Sequence, residues 1–154
     1  IELMYSAGLR LSELVKLKVT DLELSKNFGW VRHGKGNKDR PFILAENLKE
    51  KLKAHIKENK LTYYLFQGRN SHIHQRTIQE IVKKAAEKAE IQKKTHPHTL
   101  RHSFATHLVE NDYDVSQVQS LLGHGSPQTT MQYVHMASPK IISVQSPYDS
   151  LSQN

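Results

Sequence analysis

At 154 residues with a formal net charge of +7, the chain is long enough to bury one hydrophobic core without covalent staples. It contains no cysteine, which excludes a disulfide framework, a thiolate zinc site and a cysteine nucleophile, and no apolar run approaches the length that spans a bilayer. All but one of the 22 Lys and Arg residues lie in positions 1–102, so that a body of net +10 precedes an end of net −3. A basic body of this kind attracts a polyanion, most often nucleic acid, whereas the acidic end is better suited to protein.

In chain order, Ile1 to Ala7 reads as the end of an apolar helix, so the sequence begins inside an element rather than at a signal peptide or a natural initiator. Gly8 supplies a break, and Leu11, Leu14, Val15 and Leu17 then make a helical stripe with Arg10 at its start. Phe28 to Arg32 and Pro41 to Leu44 are strand candidates on either side of Gly34-Lys35-Gly36-Asn37-Lys38-Asp39, which predicts a hairpin with lysines at its tip. Leu48, Leu52 and Ile56 mark a short amphipathic helix, and Ile78, Ile81, Val82, Ala85 and Ala89 a longer one. Leu65-Phe66 is a further strand candidate between them.

Leu100, Phe104, Leu108 and Val109 define another helix, with His98 near its start and Arg101 one turn on. Asp114 is placed to cap a helix from Val115 to Leu122 that Gly123 stops, and Ser126-Pro127 opens a helix carrying Tyr133. The end of the chain is broken by Pro139 and Pro147 and offers Ile141, Ile142 and Val144 as an apolar patch. The predicted fold class is mainly α with one small antiparallel β-sheet, an α+β domain.

Cutting a phosphodiester without a metal requires a nucleophile, positive charge for the non-bridging oxygens, and an acid for the departing oxygen. Arg10 and Arg101 can donate in fork geometry to phosphate oxygens and keep their charge near neutrality. Tyr133 can attack to give a phosphotyrosine. His98 and His102 stand at i, i+4 as on metalloprotease helices, but Thr99 occupies the position of the expected glutamate and no third ligand is evident, so no metal is assigned. Gly34-Lys35-Gly36 lacks the spacing of a nucleotide-binding P-loop, and no cofactor is assigned either.

Five motifs then fall in order: Ser6-Ala-Gly-Leu-Arg10-Leu-Ser-Glu13-Leu, Gly34-Lys35-Gly-Asn-Lys-Asp-Arg40, His98-Thr-Leu-Arg101-His-Ser-Phe-Ala-Thr-His, Leu121-Leu-Gly-His124, and Tyr133. Together they resemble the catalytic domain of tyrosine recombinases, especially of the Xer type, and each motif is weak alone but their order is specific. The resemblance implies the DNA breaking-rejoining enzyme fold over residues 1–137, with residues 138–154 as a C-terminal tail, and places the N-terminal DNA-clamping domain of relatives outside this sequence. It assigns Arg10, Lys35, His98, Arg101, His124 and Tyr133 as catalytic, with Tyr133 the nucleophile and Lys35 the acid for the leaving 5′-hydroxyl. Lys38 competes with Lys35 for the hairpin tip, and Lys38 and Arg40 are expected to contact DNA. Glu13 orients a catalytic group or caps its helix.

The implied partners are double-stranded DNA, further copies in a tetramer on DNA, and an accessory or second recombinase protein. No membrane partner is implied, and the expected location is cytoplasmic and nucleoid-associated. The tail can dock onto a neighbouring subunit, fray, or fold back in cis. Two rivals share the motifs: a type IB topoisomerase, which would relax plasmid without pairing sites, and a noncatalytic DNA-binding module.

Overall fold

The computed structural model describes residues 1–34, 36, 37, 39–123 and 145–151. Helix α1, Glu2–Ser6, ends at Gly8, whose φ of +58° lies in the left-handed region. A Cβ at Gly8 would also overlap the Phe104 ring, so glycine serves both the turn and the close packing. The chain then enters α2, Leu11–Lys16, with Arg10 as its N-cap. Leu9, Leu14, Val15 and Leu17 are buried.

After a 3₁₀ turn at Val19–Asp21 come β1, Leu22–Glu23, β2, Phe28–Val31, and β3, Arg40–Ile43. They form an antiparallel sheet in the order β1-β2-β3, with Phe28 opposite Ile43 and Val31 opposite Arg40. The Asp39 carboxylate closes the base of the hairpin connection, accepting from Arg32 Nη1 at 2.7 Å and from the His33 N–H at 2.9 Å. Lys35 and Lys38 belong to this connection and lie outside the described residues.

Four longer helices follow: α3, Glu46–Glu58; α4, Gln75–Lys88; α5, Pro97–Glu110; and α6, Val115–Leu122. Their buried stripes are Leu48 and Leu52, then Ile78, Val82 and Ala86, then Phe104 and Leu108, each an i, i+4 series. Ile81 and Val109, expected in those stripes, lie one position off them and are 42% and 45% exposed. Leu65-Phe66 forms no strand. Lys18 with Tyr64 and Gln67 with His72 make isolated bridges, and Leu65 donates to the Leu17 carbonyl while its side chain is buried.

Asp114 caps α6 as expected, its Oδ1 accepting from the Ser116 N–H at 2.7 Å, and Gly123 ends it with φ +68°. One buried cluster joins α1 and α2 to the hairpin, α3 and α4. A second sets Phe104 and Leu108 of α5 against Val118, Leu121 and Leu122 of α6 and Ile43 of β3.

Beyond residue 145 the chain returns to this body as a short helix α7, Pro147–Leu151, which contacts α1, α3 and α5 of the same chain. Ser146 Oγ donates to the Ser6 carbonyl at 2.7 Å, and the Asp149 carboxylate accepts from the Glu46 and Asn47 N–H groups at the start of α3. That carboxylate satisfies donors a helix start otherwise leaves open. Residues 145–151 thus pack against the body of the same chain. The predicted opening at Ser126-Pro127 and the helix carrying Tyr133 lie outside the described residues.

Candidate active site

The site begins at the turn between α1 and α2. Arg10 and Glu13 close a reciprocal pair one helical turn apart: Glu13 Oε2 accepts from the Arg10 N–H at 2.8 Å, and Glu13 Oε1 accepts from Arg10 Nη1 at 2.8 Å. Glu13 therefore both caps α2 and aims the Arg10 guanidinium, whose side chain stays 21% exposed at the rim of a cleft. Arg101 comes from the first turns of α5, some ninety positions on in sequence, and is 5% exposed. Its Nη1 donates to the Gly8 carbonyl at 2.5 Å and its Nη2 to the Leu122 carbonyl at 2.7 Å.

Arg40 is where expectation and structure part. Expected at the DNA-facing surface of the hairpin, it is 6% exposed. As the first residue of β3 it shares a face with Phe42 two positions on, and that face is the buried one. Its Nη2 donates to Glu13 Oε2 and its Nη1 to the Leu121 carbonyl, both at 2.7 Å, and its Nε has no hydrogen-bond partner among the described residues. The signal that could have found this was the period of two in Arg40-Pro41-Phe42, which places the guanidinium inward.

Three guanidiniums thus share one neighbourhood with one carboxylate. Burial first, then the charges of Arg10 and Arg40, pull the Arg101 pKa from 12.5 down to about 10, so it remains charged at neutral pH in a setting that favours an incoming anion. Burial alone would raise the Glu13 carboxyl, but the Arg40 charge and the Arg10 donors outweigh it and hold it below the usual carboxylate value. His98, exposed on the first turn of α5, is lowered from 6.5 by partial desolvation and then by His102, Arg101 and His96, and the Arg10 charge also reaches it. Its ring stands 5.2 Å from that of His102.

Of the expected catalytic set, Arg10, His98 and Arg101 are brought together. Lys35, His124 and Tyr133 lie outside the described residues, as does Lys38. Gly123, the residue before His124, is described, and its place matters: a Cβ there would fall 2.6 Å from Arg40 Cδ and 4.0 Å from Arg10 Nη1. Gly123, at the end of α6, therefore lies beside both arginines. A cleft of about 700 Å³ runs from Arg10 past Lys16, Lys18, Arg32 and His33 to Tyr63, Tyr64 and His72. Cationic side chains interleaved with aromatic ones suit a phosphodiester chain.

Residues 1–139 match the model of the phage integrase family. Tyrosine recombinases of Thermosipho africanus and Pseudothermotoga lettingae are 41% and 44% identical over 137 and 138 residues, covering 89% and 88% of this chain and 48% of each relative. A tyrosine recombinase XerD of Staphylococcus saprophyticus is 39% identical over 149 residues, covering 92% of this chain and 50% of that protein. This chain therefore spans about half the length of these curated relatives.

Among solved structures, the XerA recombinase superposes with a TM-score of 0.74 at 32% identity, over 99% of this chain and 54% of that one. The XerH site-specific recombinase bound to its palindromic difH substrate, a post-cleavage complex, superposes with a TM-score of 0.72 at 30% identity, over 86% of this chain and 39% of that one. The mainly helical fold with its small antiparallel sheet is that of tyrosine recombinase catalytic domains. On the family match over nearly the whole sequence, together with the motifs that build the arginine cluster, this chain belongs to the phage integrase family of tyrosine recombinases.

Proposed function

We propose that this chain is the catalytic domain of a site-specific DNA recombinase that breaks and rejoins strands through a covalent 3′-phosphotyrosine. The observation that carries this reading is the convergence of the Arg10–Glu13 pair of α2 and Arg101 of α5 beside His98 and Gly123. Such a cluster stabilises the extra negative charge of a pentacoordinate phosphate, which grows on the non-bridging oxygens as the nucleophile approaches. Arg10 faces the cleft and binds the phosphate directly. Arg101 acts from below, its orientation set by the Gly8 and Leu122 carbonyls. His98 donates to the same oxygens as a neutral imidazole.

In the proposed step, Tyr133 Oη attacks phosphorus and forms a phosphotyrosine with the 3′ end, and the bond to the 5′ oxygen breaks. The tyrosine proton leaves to a base or water, and Lys35 supplies a proton to the departing 5′-hydroxyl. A 5′-hydroxyl from a partner strand reverses the sequence and restores the phosphodiester without an external energy source. Double-stranded DNA is the substrate. The XerH neighbour is a recombinase bound to DNA, and the basic cleft beside Arg10 suits the backbone flanking the reactive phosphate. The working assembly is a tetramer on paired sites, with the tail of residues 138–154 as the element that joins neighbours. A second recombinase or accessory protein can occupy alternate positions.

Covalent trapping on nicked duplex DNA tests the proposal. The expected result is a slow-migrating band on a denaturing gel that disappears in Tyr133→Phe while duplex binding persists. An adduct that survives in Tyr133→Phe overturns the nucleophile. Absence of any adduct, both with this chain and with the N-terminal half of a recombinase relative fused ahead of it, overturns the catalytic reading in favour of a DNA-binding module.

A further inference from the structure

The last turn of α6 leaves carbonyls that no helical N–H can satisfy. Two of them in succession are taken by buried arginines from different elements: Leu121 by Arg40 Nη1 at 2.7 Å and Leu122 by Arg101 Nη2 at 2.7 Å. The other terminal nitrogen of Arg40, Nη2, donates to Glu13 Oε2 at 2.7 Å, on the carboxylate whose second oxygen accepts from Arg10 Nη1 at 2.8 Å. Gly123 then seats its turn directly on the Arg40 side chain, with so little room that an added Cβ would lie 2.6 Å from Cδ. The next residue is His124.

We propose that Arg40 is a positioning residue, which locks the Arg10–Glu13 pair to the C-terminal turn of α6 and so fixes the Arg10 guanidinium at the cleft. The inference rests on the recombinase reading above and adds a residue to it. Arg40 lies 6% exposed, so it holds the groups that meet the phosphate without meeting the phosphate itself. A guanidinium suits this task because its planar fork reaches two acceptors at once, and its charge complements both the carboxylate and the negative end of the helix. Lysine carries the same charge on one nitrogen and holds the two acceptors together poorly.

The test compares Arg40→Lys, Glu13→Gln and the double variant in single-turnover adduct formation on nicked duplex, with duplex affinity measured across a salt series. Because a misplacement of about 1 Å at a reacting centre costs about 100-fold, Arg40→Lys is expected to slow adduct formation by about that factor. Duplex affinity and its salt slope stay unchanged, and the double variant is no slower than the slower single one because both act through one carboxylate. An unchanged rate overturns the inference. So does a salt slope that drops by about one, the mark of a lost phosphate contact. Multiplying effects in the double variant, or a lysine variant that fails to fold by circular dichroism, also overturn it, the latter by assigning Arg40 to stability alone.

Amide exchange in the DNA-free protein separates this inference from the function it serves. Faster exchange by about tenfold over 118–123 in Arg40→Lys supports the lock even where wild-type protein forms no adduct, and unchanged exchange overturns it.

Discussion

Arg101 is buried, its guanidinium donating to the Gly8 and Leu122 carbonyls, and it keeps its charge at neutral pH. In the proposed step, replacing it with alanine would remove charge stabilisation from the transition state, and single-turnover adduct formation is expected to fall by about 10²- to 10³-fold. Duplex affinity, read in parallel, changes far less. His98 offers a check on the electrostatics without DNA. Its ring is expected to titrate below 6.5 by proton NMR, and His102→Ala should move the midpoint upward by removing one of the positive neighbours that hold it down. At this scale the sequence was legible where a motif names a residue and a helix start places it, as for Arg10 and His98. It was misleading for Arg40, because a basic residue beside a lysine-rich hairpin tip reads as surface, and only strand register turns it inward.

Helix ends do much of the positioning. α2 starts on the Arg10–Glu13 pair, α5 starts on His96 with Pro97 in its first turn, and α6 stops on Gly123 against Arg40. Gly123→Ala places a Cβ in a left-handed backbone and against the middle of a side chain held at both ends. Denaturant unfolding is expected to show a loss of about 1 to 3 kcal/mol. At the other end of the chain, Asp149 closes the start of α3, so Asp149→Ala should cost about 1 kcal/mol by the same measurement. Equal stability would mean that α7 does not stay seated.

The elements themselves were largely legible from apolar periodicity, turn residues and caps. Leu65 was not, because a single buried leucine in a bridged loop has the local composition of a strand end. The cis seat of α7 was equally hidden, since it depends on Ser6, Glu46 and Asn47, which no local pattern links to the tail.

For the molecule as a whole, charge bears on both stability and the proposed partner. Glu13 is held below 4.5 in the folded state, so its contribution is present above the unfolded glutamate value and is lost as pH falls through the lower, folded value. Acid unfolding below about pH 4.5 should therefore be shallower in Glu13→Gln than in the wild type. With the basic cleft as the proposed DNA contact, duplex affinity is expected to fall steeply with added salt, and a flat response would contradict DNA as the partner. Composition alone could suggest a polyanion but not its chemistry. The ordered motifs supplied that, and the fold explains their order by carrying residues from α2 and α5 to one rim while β3 and the end of α6 brace them.

The most direct measurement is mass spectrometry of the adduct trapped on nicked duplex, after trypsin and nuclease digestion. The recombinase reading predicts a peptide spanning residues 102–140 that carries a 3′-linked nucleotide on Tyr133. A nucleotide on any other residue, or a 5′ linkage at Tyr133, would contradict it.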